Sequence, residues 1–87
     1  MPNKYAQISQ AELDLHQMTR LEAERAVKDF LEASQAAGLS LVRIVTGKGI
    51  HSQAGPVLKE AVRVFLDKQG YEYKQAKLNE GAIEVKL

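Results

Sequence analysis

The spacing of apolar residues changes along the chain and divides it into segments of different type. From Glu12 to His16, apolar and polar residues alternate, which predicts a β-strand. Apolar or small residues then recur at every third or fourth position, the period of a helix with one buried face. These positions are Ala23, Ala26, Val27, Phe30, Leu31, Ser34 and Ala37. A strand followed by a helix is therefore predicted for the first half.

The two ends of this helix have sequence signals of their own. Thr19 lies three residues before Glu22, and this spacing forms a capping box in which each side chain bonds the backbone N–H of the other residue. Gly38 supplies a residue that adopts the left-handed conformation at a helix end. The helix is thus predicted to begin after Thr19 and to end before Gly38.

The second half repeats the strand and helix pattern and then adds two strands. Residues 39–46 are rich in β-branched side chains and predict a central strand, while Pro56 suits the first position of a second helix. Gly70 closes that helix, and strands over residues 71–78 and 82–87 follow, joined by a turn. The apolar stripe of the second helix contains Val57, Leu58, Ala61, Val62, Phe65 and Leu66.

The element order is βαβαββ, which predicts an α/β fold of the two-layer, α+β-like kind. Strand-helix-strand crossovers are right-handed, so both helices pack on one face of the sheet and leave the other open. With Leu13 and Leu15 toward the helices, Asp14 and His16 face the open side, and Arg43 joins them there. Residues 1–11 carry no sustained period and are predicted to form an N-terminal arm before a domain over residues 12–87.

Composition narrows the chemistry further. The chain has 87 residues, the size of one domain, and no cysteine, which excludes disulfides and thiolate metal sites. Its two histidines are too few for a closed zinc site. No apolar run is long enough to span a bilayer and the first twenty residues lack the apolar block of a secretory signal, so we expect a cytoplasmic protein that does not enter a membrane.

Net charge is only +1, but the charges are unevenly distributed. Residues 1–39 hold 4 Lys/Arg against 6 Asp/Glu, whereas residues 40–87 hold 8 against 5. A local basic surface is therefore compatible with the second half of the chain.

The predicted topology brings candidate chemical groups to one edge of the sheet. If the first two strands are parallel neighbours, His16 and Thr46 end at the same edge, where βα units bind ligands. Gly47 and Gly49 permit a tight turn with exposed N–H groups, and Lys48 adds a cation near the start of the second helix. This loop is suited to an anion, most readily a phosphate.

Each of these features also has an ordinary structural interpretation. An Asp-x-His pair on a strand is commonly a polar strand face, and a Gly-Lys-Gly loop without a Walker serine is commonly a flexible turn. Thr46, His51 and Arg43 belong with the candidate phosphate contacts, although a loop histidine is more often solvated. The convergence of the acid, the imidazole and the loop at one edge favours a functional site.

These segments carry a family resemblance. "ELDLHQMTRLEAERAV", "VRIVTGKGIHSQAGPVLKEAVRVFL" and "LNEGAIEVKL" resemble the Smr (small MutS-related) domain over residues 12–87. The resemblance implies a four-stranded mixed sheet whose last strand is antiparallel to the rest and whose two helices lie on one face, as in the C-terminal domain of translation initiation factor three. It also implies nucleic-acid binding, with DNA nicking in some members and cleavage of messenger RNA at stalled or collided ribosomes in others.

The resemblance assigns residue roles by position. Asp14 and His16 match the catalytic Asp-x-His motif, and Gly47, Lys48 and Gly49 match the loop that contacts the nucleic-acid backbone. The family usually has glycine directly after the histidine, where this chain has Gln17.

Two classes of function remain open. In the first, the chain is an endonuclease: His16 accepts a proton from a ribose 2′-hydroxyl or water, Asp14 supports the imidazolium, and Lys48 holds the phosphate. A variant of this mechanism uses a divalent cation, Mg²⁺ or Mn²⁺, held by Asp14. In the second class, favoured by the low net charge and by Gln17, the chain is a non-catalytic module that binds RNA, DNA or the ribosome. Either way we expect the isolated domain to be a monomer.

Overall fold

The computed structural model describes residues 10–15, 18–47, 55–76 and 81–87, and within them the predicted βαβαββ order is confirmed. The strands are shorter than the predicted segments, because hydrogen-bonded pairing covers only their central residues. The elements are β1 (Glu12–Asp14), α1 (Arg20–Ala36), β2 (Leu41–Val45), α2 (Gly55–Gln69), β3 (Glu72–Gln75) and β4 (Ala82–Lys86).

The four strands form one mixed sheet in the order β1-β2-β4-β3. β1 is parallel to β2, and β4 is antiparallel to both β2 and β3, as the resemblance implied. β1, β2 and β3 consequently run in the same direction. Their carboxyl ends lie at one edge of the sheet, which we call the site edge.

Both helices bury their apolar stripes in a single core against one face of the sheet. Val42 and Ile44 of β2 face this core, as predicted, and Leu13 packs against it while Leu15 is fully buried. The other fully buried large side chains include Val27, Leu31, Leu58, Val62, Leu66, Ile83 and Val85.

Two predicted stripe residues lie outside the core. Ala37 is exposed because it follows the last turn of α1, where the chain leaves the helix. Val57 is 50% exposed in the first turn of α2. Leu21, in the first turn of α1, is also exposed. The predicted stripes therefore extend further along the helix axes than the core does.

The helix ends confirm the predicted caps. At the start of α1, the Thr19 hydroxyl accepts from the Glu22 N–H at 3.1 Å, and the Glu22 carboxylate accepts from the Thr19 N–H at 2.9 Å. Gly38 and Gly70 have φ near +80° directly after the two helices. In both places the residue after the glycine donates to a carbonyl five residues back, the Schellman arrangement.

The open face of the sheet carries a row of alternating charge. Across the strands, Glu12 lies opposite Arg43, Arg43 opposite Glu84, and Glu84 opposite Lys74. Opposite charges on neighbouring strands attract, so this row contributes to the strand register. Within the described residues, neither helix has the length and apolar composition required to cross a bilayer.

Candidate active site

The parallel pairing of β1 with β2 brings Asp14 to the site edge. Asp14 lies opposite Val45, and the Leu15 N–H donates to the Val45 carbonyl at 2.8 Å. Asp14 is exposed whereas Leu15 is fully buried, so the carboxylate faces away from the core as predicted. Leu15 thereby anchors the strand end that presents the acid.

The predicted catalytic histidine follows this anchor. His16 and Gln17 lie outside the described residues, so the proximity of His16 to Asp14 stays a prediction. The residues on either side of them are held together, since the Met18 N–H donates to the Leu15 carbonyl at 3.1 Å. The capping box at Thr19 follows immediately. Leu15 and Met18, the described residues that precede and follow this pair, are thus held by backbone hydrogen bonding.

Thr46 and Gly47 begin the glycine loop (residues 46–49), and both are bonded to the carbonyl of Gly81. That oxygen accepts from the Thr46 N–H at 2.7 Å, the Thr46 hydroxyl at 3.2 Å and the Gly47 N–H at 3.1 Å. The Thr46 side chain is 1% exposed. These contacts give Thr46 a structural role in positioning the loop, and its predicted contact with phosphate stays a prediction.

Gly47 has the backbone conformation that the sequence predicted for a tight turn. Its φ is +86°, a region that residues with a Cβ rarely adopt. Apart from its chain neighbours, no atom of the described residues lies within 4 Å of the place where a Cβ would stand, so conformation rather than crowding calls for glycine there. Lys48, Gly49 and His51 lie outside the described residues. Their place in a phosphate site stays a prediction.

Arg43 lies on the open face, as predicted, and is held there by two carboxylates. Its Nη2 is 3.3 Å from Oε2 of Glu84, and its Nη1 is 3.8 Å from Oε2 of Glu12. Its Nε is buried and has no hydrogen-bond partner among the residues that the structure describes. Because these ion pairs already offset the guanidinium charge, the predicted contact of Arg43 with phosphate would compete with them.

No metal cluster appears in the part of the chain that the structure describes: no three His, Cys, Asp or Glu side chains there are grouped to hold an ion. Asp14 is the described carboxylate closest in register to the glycine loop. A divalent cation would therefore depend on Asp14 together with substrate oxygens and water.

Sequence reasoning missed two groups that shape this region. Gly81 acts through its carbonyl oxygen, which carries no side-chain signal, although the predicted turn did place it before the last strand. Glu84 had a detectable signal, because it is an acid between the buried residues Ile83 and Val85, as Arg43 is a base between Val42 and Ile44. That Glu84 pairs with Arg43 can be predicted only when the order of the strands in the sheet is known.

Comparison with known proteins places these features in context. The family model described as the Smr domain matches residues 13–87. An uncharacterized protein of Treponema pallidum (strain Nichols) is 41% identical over 59 residues, which is 68% of this chain and 29% of that protein. The chain thus spans less than a third of that relative's length.

Two solved structures have the same architecture. The Smr domain of Thermus thermophilus MutS2 superposes with a TM-score of 0.79 at 30% identity, covering 88% of this chain and 96% of that one. YdaL, a stand-alone small MutS-related protein from Escherichia coli, gives a TM-score of 0.82 at 27% identity, covering 92% of this chain and 66% of that one.

Proposed function

This chain belongs to the Smr domain family, and from that membership we propose that it binds nucleic acid and cleaves phosphodiester bonds at the site edge. The parallel pairing of β1 with β2 carries the proposal. It places the exposed Asp14 opposite Val45, one residue before the glycine loop. An acid and an anion-binding loop on adjacent strand ends are suited to holding a phosphate beside a proton-transfer group.

In the proposed reaction on RNA, His16 takes the proton of a ribose 2′-hydroxyl and Asp14 supports the imidazolium that results. The 2′-oxygen then bonds to phosphorus, and the bond from phosphorus to the 5′-oxygen breaks. The 5′-oxygen receives a proton from the imidazolium of His16, directly or through a water molecule, which leaves a 2′,3′-cyclic phosphate and a free 5′-hydroxyl and regenerates the neutral imidazole. The Lys48 side chain and the N–H groups of Lys48 and Gly49 are proposed to stabilise the charge that develops on the phosphate, because the N–H groups of Thr46 and Gly47 donate to Gly81.

DNA lacks the 2′-hydroxyl, so cleavage of DNA requires water as the nucleophile. A Mg²⁺ or Mn²⁺ ion at Asp14 would lower the pKa of that water and offset phosphate charge. The chemical ends of the products therefore distinguish the two routes. We further propose that the protein acts in the cytoplasm and that the domain is a monomer. Its proposed main substrate is RNA, including RNA at ribosomes.

A second candidate function, a non-catalytic nucleic-acid-binding module, is favoured by two observations. Gln17 stands where the family usually has glycine, next to the predicted catalytic histidine. In addition, the Gly47 N–H already donates to Gly81, so it is not directed at a bound phosphate. Under this interpretation Asp14 and His16 contribute little to affinity, whereas Lys48 contributes a phosphate contact.

The deciding experiment incubates the purified protein with labelled single-stranded RNA, duplex RNA and supercoiled plasmid, with and without EDTA. We expect cleavage by the wild type and a loss of about 100-fold or more in His16→Ala and Asp14→Asn. Asp29→Asn, at an exposed aspartate of α1, is the matched control and should retain the full rate. Cleavage that persists unchanged in His16→Ala would refute the catalytic assignment, and binding without cleavage would support the module.

A further inference from the structure

A groove between α2 and the edge strand β3 is distinct from the predicted catalytic groups. One side is formed by α2 and the other by β3, with a residue of β4 at its base. Its lining residues are Lys59, Arg63, Tyr73, Lys74, Gln75 and Ile83. Three of these six residues are cations and none is an acid; one of the three, Lys74, is also the last member of the charge row on the open face.

Two of the three groove cations, Arg63 and Lys74, are available to a ligand to a greater degree than Arg43, whereas Lys59 is already bonded to Gln75. Arg63 and Lys74 are exposed, and neither forms an ion pair with a carboxylate among the described residues. Glu84 lies opposite Lys74 in the strand register, but its carboxylate is engaged by Arg43 at 3.3 Å. Among the described residues, therefore, no direct ion pair offsets the charge of Arg63 or Lys74; Asp67, four residues after Arg63, is bonded to Tyr73 instead.

The walls of the groove are held in place by side-chain hydrogen bonds. Lys59 Nζ donates to Gln75 Oε1 at 3.4 Å, which joins the first half of α2 to the end of β3. Two turns further along α2, the Tyr73 hydroxyl donates to Asp67 Oδ1 at 2.9 Å. Lys59 and Arg63 are four residues apart, so both cations lie on the same side of the helix between these two links.

Protection of an edge strand does not account for this arrangement. A lysine on an edge strand such as β3 discourages pairing with other chains, and that role fits Lys74. Lys59 and Arg63 belong to α2, however, and add positive charge beside the strand rather than on it. A polyanion is the ligand that matches three cations along one groove.

The groove opens toward the same edge as the candidate active site. β3 runs parallel to β1, so Gln75 at its carboxyl end lies at the site edge with Asp14 and Thr46. The order β1-β2-β4-β3 separates Gln75 from Asp14 by three strand spacings, about 14 Å. A short run of nucleotides spans that distance, passing the glycine loop on the way.

We propose that the α2–β3 groove is a second contact for the sugar-phosphate backbone of the bound nucleic acid. It holds phosphates a few nucleotides away from the one at Asp14. This inference rests on the proposed function and adds to it a path along the site edge. It also assigns affinity and catalysis to separate parts of the domain, because the groove touches the substrate away from the reacting bond.

The test measures binding of labelled oligonucleotides by fluorescence anisotropy as a function of salt concentration. The variant Arg63→Gln/Lys74→Gln is compared with Arg25→Gln/Lys28→Gln, which removes the same charge from exposed positions of α1. We expect the groove variant to bind a 20-nucleotide RNA about tenfold more weakly, with a salt slope smaller by about 1, and the α1 variant to stay within twofold of the wild type. The charge-preserving variant Arg63→Lys/Lys74→Arg should retain affinity.

The dependence of affinity on oligonucleotide length distinguishes a local contact in the groove from a general electrostatic attraction to the domain. A dinucleotide is too short to reach from Asp14 to the groove, so its affinity should be unchanged in Arg63→Gln/Lys74→Gln. Equal losses in the groove and α1 variants, or no loss in the groove variant while Lys48→Ala weakens binding, would overturn the groove and leave the proposed function intact. Absence of any nucleic-acid binding by the wild type would overturn both. Thermal denaturation of each variant verifies that it is folded.

Discussion

Thr46 and Gly81, which are 35 residues apart in the chain, are joined by two hydrogen bonds to one carbonyl oxygen. The backbone N–H and the buried hydroxyl of Thr46 both donate to Gly81, at 2.7 Å and 3.2 Å. The end of β2 is thereby tied to the start of β4 at the point where the glycine loop begins. The positions of Thr46 and Gly47, the first two residues of the loop, therefore depend on the start of β4 as well as on β2.

The hydroxyl of Thr46 should contribute to stability. Thr46→Val keeps the shape of the side chain and removes the donor, while the Gly81 carbonyl retains two N–H donors. We expect the free energy of unfolding to fall by about 1 kcal/mol, the usual net contribution of one hydrogen bond. Urea denaturation measures this change. An unchanged midpoint at the same slope would show that the hydroxyl does not stabilise the fold.

Gly47→Ala should affect both stability and function. At φ +86° an alanine is strained by about 1–2 kcal/mol, even though no atom within 4 Å would meet its Cβ. Gly38→Ala is the matched control, because Gly38 has φ +80° and equally open surroundings but precedes β2, at the end of that strand opposite the site edge. Urea denaturation should give similar losses for both variants, and nucleic-acid binding should weaken only in Gly47→Ala. Equal binding by the two variants would argue against a role for the loop.

The two carboxylates beside Arg43 should differ in their contributions. Glu84 is 3.3 Å from the guanidinium with a side chain 14% exposed, whereas Glu12 is 3.8 Å away and 55% exposed. Solvent screens the second pair more, so we expect Glu84→Gln to lower the free energy of unfolding by about 1 kcal/mol and Glu12→Gln by less than about 0.5 kcal/mol. Double-mutant cycles with Arg43→Gln measure each coupling. A larger coupling for Glu12 would contradict the geometry.

The capping box of α1 should be a separate source of stability. Thr19→Ala removes the hydroxyl that accepts from the Glu22 N–H, and we expect a loss of about 1 kcal/mol in the free energy of unfolding. Thr19→Ser keeps the acceptor and should lose at most a few tenths of that value. Thermal or urea denaturation of the two variants decides the matter. Similar losses in both would mean that the hydroxyl is not the cause.

Gln17→Gly tests the departure of this chain from its family. If the family glycine relieves backbone strain near the phosphate, restoring it should raise the cleavage rate about fivefold, which corresponds to about 1 kcal/mol. The rate is measured by single-turnover cleavage of whichever of the RNA and plasmid substrates proposed above the wild type cleaves fastest. Equal rates for the two proteins would show that Gln17 does not limit activity.

Much of the fold follows from local signals in the sequence. The caps at Thr19 and Gly38 and the alternation around Leu13 each depend on residues a few positions apart, and the structure confirms them. Periodicity also gives the direction in which a helix faces the core. Periodicity does not give the extent of the core along the helix axis. Val57 therefore fits the predicted apolar stripe of α2, although its side chain is half exposed.

The candidate site depends more on long-range pairing. The exposed Asp14 at a strand end could be predicted, because it needs only alternation and a parallel neighbour. The Gly81 carbonyl and the pairing of Arg43 with Glu84 require that β4 lies between β2 and β3. The α2–β3 groove likewise requires β3 to be an edge strand. No local pattern specifies which strands become neighbours.

The central position of β4 determines the order in which this domain can complete itself. During synthesis β1 and β2 can pair early, but β3 has no partner in the sheet until β4 has formed. Contacts between segments so distant in sequence carry a large loop-closure cost and form slowly. The pairing of β2 with β4 joins such distant segments, so completion of the sheet is expected to follow synthesis of β4, and Thr46 and Gly47 are bonded to Gly81 in that same step.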